Sequence, residues 1–387
     1  MATERHGDKH RDILGSMRRP SPSVVARAVL VAAGTGLLAA CTSAAGSSFS
    51  PVAAVPGADG AVFNGVGSTP TGFVVVGSVP VAGEQGHAAA WTSTDGSTWA
   101  RATDDPSFSG QVMLSVASGA SGLMAVGSQC WTSECGENAI WTSVDGTTWR
   151  GSPGIAPNTD FSAVTETVVA GGPGWILGGR ENPTAMGSKL QPGIWTSADG
   201  KSFAVATLAL PPGATNLAGA VAGLAIGGGE DVAVGTLQTD TGHGAAAWTS
   251  TDGKAWSLAA DDGSFAGSVI SGVVAGGPGF VAVGRDDNGA AVWDSTNGSS
   301  WNKVSAGPGF TGARMTAVGA GGDRIVATGE DGNSALAWTS KDGETWTQVA
   351  TGSDAAGMQA SGAAVDPTAD VIVGGVSGTP RIWTATP

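Results

Sequence analysis

From about residue 60 to the C-terminus, apolar and polar positions follow one repeating order. A stretch rich in Gly, Ala and Ser, such as Val269 to Gly276 or Met315 to Gly319, comes first. A short apolar run ending in Gly follows: Phe73 to Gly77, Leu123 to Gly127, Trp175 to Gly179, Val232 to Gly235, Phe280 to Gly284, Ile325 to Gly329 and Val371 to Gly375. Each of the first six leads into a nine-residue stretch typified by Trp91-Thr92-Ser93-Thr94-Asp95-Gly96-Ser97-Thr98-Trp99. Short runs of this kind, bounded by Gly and Asp-Gly, predict strands joined by tight turns, so each unit reads as four antiparallel strands.

The Trp stretch predicts a hairpin, because Asp-Gly suits a two-residue type I′ turn. With Asp95 and Gly96 as that turn, Thr94 faces Ser97, Thr92 faces Trp99, and Trp91 faces Ala100. Side chains alternate across a strand, so this register sends Trp91 and Trp99 to opposite faces. A sheet with a Trp on each face needs cover on both sides. Copies start at Trp141, Trp195, Trp248, Trp293 and Trp338, and a partial one at Trp383, with separations of 50, 54, 53, 45, 45 and 45 positions. Periods of this size are those of propeller blades. The expectation is an all-β, seven-bladed β-propeller of four-stranded antiparallel blades. Gly, Ala and Ser in the innermost strands suit the crowding around a central channel. The last unit lacks its fourth strand, while Ser48-Phe49-Ser50-Pro51-Val52 looks like one, so an N-terminal strand is expected to close the ring and cover its edges.

The repeated Ser-x-Asp-Gly-x-x-Trp resembles the Asp-box, or BNR repeat, of sialidase-like propellers, shortened by one residue between Asp and Trp. In that family the box is a structural turn between the third and fourth strands, away from the binding face. The resemblance therefore implies a structural role for Asp95, Asp145, Asp199, Asp252, Asn297 and Asp342. Asn297 in place of Asp keeps a residue that tolerates left-handed φ.

The N-terminus reads as an address. Arg18, Arg19 and Arg27 precede the apolar run Ala28 to Ala40, too short to span a bilayer and suited to a signal peptide, with Met17 as an alternative start. The run ends Leu38-Ala39-Ala40-Cys41, which resembles a bacterial lipobox. That match implies cleavage before Cys41 and acylation there, placing the protein on the outer side of the cell membrane as a lipid-anchored lipoprotein. The domain reading is signal peptide over 1–40, lipidated Cys and tether over 41–47, and propeller over 48–387. Cys130 and Cys135, left as an even pair in an oxidising compartment, point to a local disulfide.

Charge narrows the partners. The full chain carries a formal net charge of −14. Residues 41–387 hold 12 Lys and Arg against 29 Asp and Glu, a net −17. Such a surface disfavours nucleic acid and anionic headgroups, which leaves lipid as the membrane anchor. Strand order puts the loops after the second and fourth strands on one face, opposite the Asp-box turns; these loops vary most between units and carry many acids: Asp104, Asp105, Asp160, Glu181, Asp240, Asp261, Asp262, Asp286, Asp287, Glu330, Asp331 and Asp354.

Chemistry is constrained by what the chain contains. Sialidases that this repeat resembles use a tyrosine nucleophile, an arginine triad and an acid, and the chain has no Tyr. Arg180 and Arg285, each directly after a second-strand Gly, and Arg314, which opens a first strand, are candidates to converge on a carboxylate at the channel mouth. Asp286 and Asp287 are the accompanying candidate ligands, with salt bridges to neighbouring acids as the plain structural alternative. No spaced metal-ligand set, EF-hand loop or cofactor motif occurs, so neither metal nor cofactor is expected. The functional expectation is a binding or scaffold module for an envelope protein or glycan. A glycan-active hydrolase without a tyrosine nucleophile is the alternative.

Overall fold

The computed structural model describes residues 48–387 except 83–85, 132–133, 153–154, 156–162, 173, 182–189, 212–217, 240–241, 261–262 and 377, with backbone alone at 129–131, 134–137, 239 and 243. The predicted signal peptide, Cys41 and the tether lie outside the described residues, as do Asp160, Asp240, Asp261 and Asp262.

Seven separate sheets follow one another along the chain, each a meander in which neighbouring strands pair antiparallel. In the first blade the strands are Val62–Thr69, Gly72–Val79, His87–Ser93 and Ala100–Arg101. In the seventh they are Gln359–Val365, Asp370–Val376 and Thr379–Ala385, and the outermost place is taken by Ser50–Pro51 from the other end of the chain. Ser50 pairs with Thr384 and Pro51 with Trp383, which closes the ring as expected. Blade 4 departs from four strands: Thr207–Leu208 runs parallel to its outermost strand, Ala255–Leu258, as a fifth.

Alternation along each strand builds the junctions between blades. Phe73 and Val75 pack with Val371 and Val373 of blade 7, whereas Val74 and Val76 pack with Trp141 and Trp149 of blade 2. Seven buried apolar clusters result, one at each junction. Every leading Trp is 1% exposed or less. Burying a ring of that size is worth more than any other single side chain in the repeat.

The hairpin register differs from the expected one by a residue. Trp91 pairs with Arg101 and Thr92 with Ala100 in blade 1, and in blade 2 Ser143 pairs directly with Trp149. Trp91 and Trp99 therefore stand on the same face, and both pack towards blade 7. The cause is side-chain capture of the turn. Asp95 Oδ1 accepts from the backbone N–H of Ser97 at 2.8 Å and of Thr98 at 2.7 Å, and Ser93 Oγ accepts from Gly96 N–H at 2.9 Å. The Trp99 indole N–H then donates to the Gly96 carbonyl at 3.0 Å. These bonds favour a five-residue turn over the two-residue one. The turn glycine also packs against the preceding blade: a Cβ on Gly298, whose φ is +74°, would lie 2.4 Å from Val232 Cγ2.

The innermost strands line the channel, and each carries one β-bulge at the same place: Asn64, Leu114, Glu166, Ala222, Ser271, Thr316 and Ser361. Three of these residues reach the next blade. Thr316 Oγ1 donates to Ala360 O at 2.6 Å, Ser361 Oγ to Phe63 O at 2.6 Å, and Asn64 Nδ2 to Met113 O at 2.8 Å. The junction between last and first blades is thus tied at the channel as well as at the rim.

Candidate functional site

The face opposite the Ser-x-Asp-Gly turns is built from second-to-third-strand turns and from the loops that carry the chain between blades. Those connecting loops are held on both sides. Between blades 5 and 6, Ala290 N–H donates to Phe310 O at 2.9 Å and Gly312 N–H to Asn288 O at 3.1 Å. From blade 6, the Trp338 indole N–H donates to Pro308 O at 3.0 Å, and Phe310 packs edge-on against that indole at 6.0 Å. Gly289 must be glycine, because a Cβ there would meet Phe310 O at 2.2 Å. Leading Trp residues elsewhere make the same kind of bond, Trp293 to Ser264 O and Trp91 to Pro56 O. The most buried residue of the repeat thus fixes the backbone of the most variable loop.

This frame holds a cleft of about 520 Å³ between blades 5 and 6, lined by Arg285, Asp286, Asp287, Arg314, Glu330 and Asp331 among others. Arg314 and Glu330, which form an ion pair, also line a neighbouring cleft of about 470 Å³ that reaches Asn64 and Ser361 at the channel mouth. Two of the three candidate arginines are therefore brought together. The third is not: Arg180 belongs to blade 3, where it pairs with Glu166 at 2.5 Å beside the channel.

The acids divide by what they already hold. Asp286 accepts from Asn288 N–H at 2.7 Å and Gly289 N–H at 3.0 Å, and it pairs with Lys303. Burial pushes its carboxyl up, but the bonds from Lys303 and the two amides outweigh that and hold it below the usual carboxylate range. Asp331 likewise accepts from the amides of Asn333 and Ser334, each at 2.8 Å. Both carboxylates are spent on shaping turns. Arg285 and Asp287 are exposed at the cleft. In blade 3, burial raises the Glu181 carboxyl. Lys303 and the bulge residues, Glu166 among them, are not legible in the sequence, since nothing in their spacing distinguishes them from ordinary strand positions.

The Ser-x-Asp-Gly carboxylates behave as structural groups. Backbone N–H bonds from Ser202 and Lys201 hold Asp199 at about 2, and those from Thr345 and Glu344 hold Asp342 at about 2. Asn297 makes the same bonds without charge, from Ser299 at 3.0 Å and Ser300 at 3.2 Å. Cys130 and Cys135 are register partners across the second-to-third-strand hairpin of blade 2, and their side chains lie outside the described residues. Among the described residues no group of three or more His, Cys, Asp or Glu is placed to hold a metal ion.

Neither a protein-family model nor a curated protein sequence matches the chain. Among solved structures it is similar to YCF48 bound to D1 peptide, with a TM-score of 0.56 and 15% identity over 88% of this chain and 95% of that one. It is also similar to the WD40 β-propeller domain of Doa1, with a TM-score of 0.49 and 11% identity over 88% of this chain and 97% of that one. A third likeness is to Trypanosoma rangeli sialidase in complex with the inhibitor DANA, with a TM-score of 0.43 and 12% identity over 84% of this chain and 55% of that one. The first likeness and the seven sheets agree on class: the protein is a seven-bladed β-propeller.

Proposed function

We propose that this chain is a lipid-anchored envelope lipoprotein whose propeller binds a protein segment on its loop face. The observation that carries the binding reading is the cleft between blades 5 and 6, where Arg285 near the end of a strand and Asp287 in the turn after it stand exposed beside a connecting loop fixed from both sides. Polar groups on a rigid frame lose little entropy on binding. The similar fold of YCF48, solved with a D1 peptide, supports a peptide-like occupant at the level of architecture. The captured Ser-x-Asp-Gly turns support a place among shortened Asp-box propellers. The Leu38-Ala39-Ala40-Cys41 motif supports the anchor, and the Cys130–Cys135 register supports a disulfide there.

The test is photo-crosslinking in intact cells from a photoreactive residue at Asp287, with Val144, 87% exposed on the opposite face, as control. Capture of a protein segment from position 287 alone is the expected result. Equal capture from both faces, or none from 287, would remove the loop face as the contact surface. In the same cells Cys41→Ala should move the protein from the membrane to the soluble fraction. Unchanged fractionation would remove Cys41 as the anchor.

A further inference from the structure

The position opposite the Ser that opens the captured turn is apolar in five blades and acidic in the fourth. Phe73, Leu123, Trp175, Phe280 and Ile325 occupy it, paired across to Ser93, Ser143, Ser197, Ser295 and Ser340. All five are buried. Blade 4 has Asp231 there, opposite Ser250, and blade 7 has Asp370 in the matching place, opposite Ala385. These carboxylates are buried too, at 6% and 1% exposure.

Asp370 is answered by a cation from the preceding blade. Arg324 donates to its Oδ1 from Nε at 3.2 Å and from Nη2 at 2.9 Å, and Nη2 also reaches Asp366 O at 2.6 Å. Burial raises the Asp370 carboxyl, and Arg324 opposes that rise. The residue of blade 3 equivalent to Arg324 is Gly174, which pairs with Gly171 as Arg324 pairs with Gly321. It brings no side chain to Asp231, and Asp231 Oδ2 is buried without a hydrogen-bond partner.

No neighbouring element among the described residues supplies a positive charge in its place. On the blade 3 side the turn presents Gly171, Gly172 and Gly174, which carry no ionisable group. On the blade 5 side the turn of Asn297 and Gly298, also uncharged, packs against Val232 and Thr249. Within blade 4, burial and two further acids, Glu230 and Asp252, raise the Asp231 carboxyl. Lys254 acts on Asp252, which also accepts from the amides of Lys254 and Ala255 at 2.8 and 3.0 Å. The space around Oδ2 is closed: a Cβ placed on Gly172, whose φ is +51°, would lie 3.4 Å from Oδ2, 3.4 Å from Ile176 Cδ1 and 3.7 Å from the Asp252 carbonyl oxygen. A methyl group and an acceptor oxygen both disfavour negative charge, whereas a proton needs no room and makes the carboxyl neutral.

We propose that Asp231 makes the junction of blades 3 and 4 a pH-sensitive latch, closed while its carboxyl holds a proton and loosened when that proton is released to water. An unfolded Asp titrates at about 3.9, and the folded group titrates higher. The latch is therefore fully closed below about pH 4, and its contribution is lost as pH rises through the folded value. At the junction of blades 6 and 7 the Arg324 bonds keep Asp370 partnered when ionised, so the two junctions respond differently. This latch is independent of the loop-face reading, since it lies with the captured turns on the other face.

The test uses the whole protein, with denaturant midpoints measured from pH 4 to 8 at constant ionic strength. Asp231→Asn keeps the shape without the titration, and Asp231→Leu installs the residue blade 2 uses. Expected is a wild-type midpoint that falls relative to both variants as pH rises from about 4, by at most about tenfold in the unfolding constant per pH unit, the limit for one proton. Hydrogen exchange, corrected for its intrinsic pH dependence, should show Gly174–Glu181 and Glu230–Thr239 opening more readily at pH 7 than at pH 4 in wild type and equally in Asp231→Asn. If Asp231→Leu fails to fold, the Asn variant carries both comparisons. Wild-type and Asp231→Asn midpoints that move in parallel, or carbon-13 spectra showing the Asp231 carboxyl titrating at about 3.9, would overturn the proposal.

Discussion

A carboxylate that accepts two backbone N–H groups is held ionised, and the Ser-x-Asp-Gly turns repeat that arrangement around the ring. Asp199 and Asp342 sit at about 2, Asp95 lower still, and Asp145 and Asp252 are also depressed. In the unfolded chain each returns to about 3.9. The folded values are the lower ones, so their stabilisation is fully present above about pH 4 and is lost as pH falls through about 2. Asn297 shows that the turn survives without charge, through slightly longer bonds. Asp342→Asn should therefore fold normally and lose about 0.5–1 kcal/mol at pH 7, a small figure because the turn is solvent-screened. Its stability should also vary less than wild type between pH 5 and 2, as read by denaturant titration at each pH. Identical pH profiles for variant and wild type would mean that the charge contributes nothing beyond hydrogen-bond geometry.

At the scale of strands and turns, period was legible in the sequence and register was not. Trp spacing and the apolar runs located seven units because burial against neighbouring blades demands one large aromatic at one place per blade. The turn was misread because Asp95-Gly96 satisfies a two-residue hairpin locally. The deciding contacts are side chain to backbone, from Ser93 and Asp95 to amides up to three residues on, and they shift the pairing by one and bring Trp91 and Trp99 to one face. The site was legible only in part for a related reason. Arg285 and Arg314 lie in adjacent blades, so blade counting brings them together, whereas Arg180 lies two blades away from Arg285 and pairs within its own sheet. Partners such as Lys303 and Glu166 depend on where a strand bulges or ends, which the repeat pattern does not encode. The same limit hid Asp231: as a residue it is one acid among many, and only its pairing with Ser250, as Phe73, Leu123 and Ile325 pair with Ser93, Ser143 and Ser340, marks it as a carboxylate in a place that those blades fill with an apolar side chain.

For the molecule as a whole, everything rests on closure, because a propeller with an open junction exposes both a strand edge and an apolar blade face. The N-terminal segment contributes more than the two residue pairs of Ser50–Pro51. Phe49 is 2% exposed among Val326, Ala337, Ala360 and Trp383, at the junction of blades 6 and 7. Its N–H donates to Ala350 O at 2.9 Å, and Val52 N–H donates to Ile382 O at 2.8 Å. Truncating a buried Phe costs about 3–5 kcal/mol, so Phe49→Ala should lower stability by that amount although the residue lies at the start of the fold. Deleting 48–55 should cost at least as much and should also promote self-association, since Thr379–Ala385 becomes a free edge. Deleting 42–47 should do neither. Chemical denaturation and light scattering at two concentrations distinguish these outcomes. A 48–55 deletion that stays monomeric with an unchanged midpoint would move closure to the inner ring, where Ser361 Oγ of blade 7 donates to Phe63 O of blade 1; loss of midpoint together with association would put it at the rim.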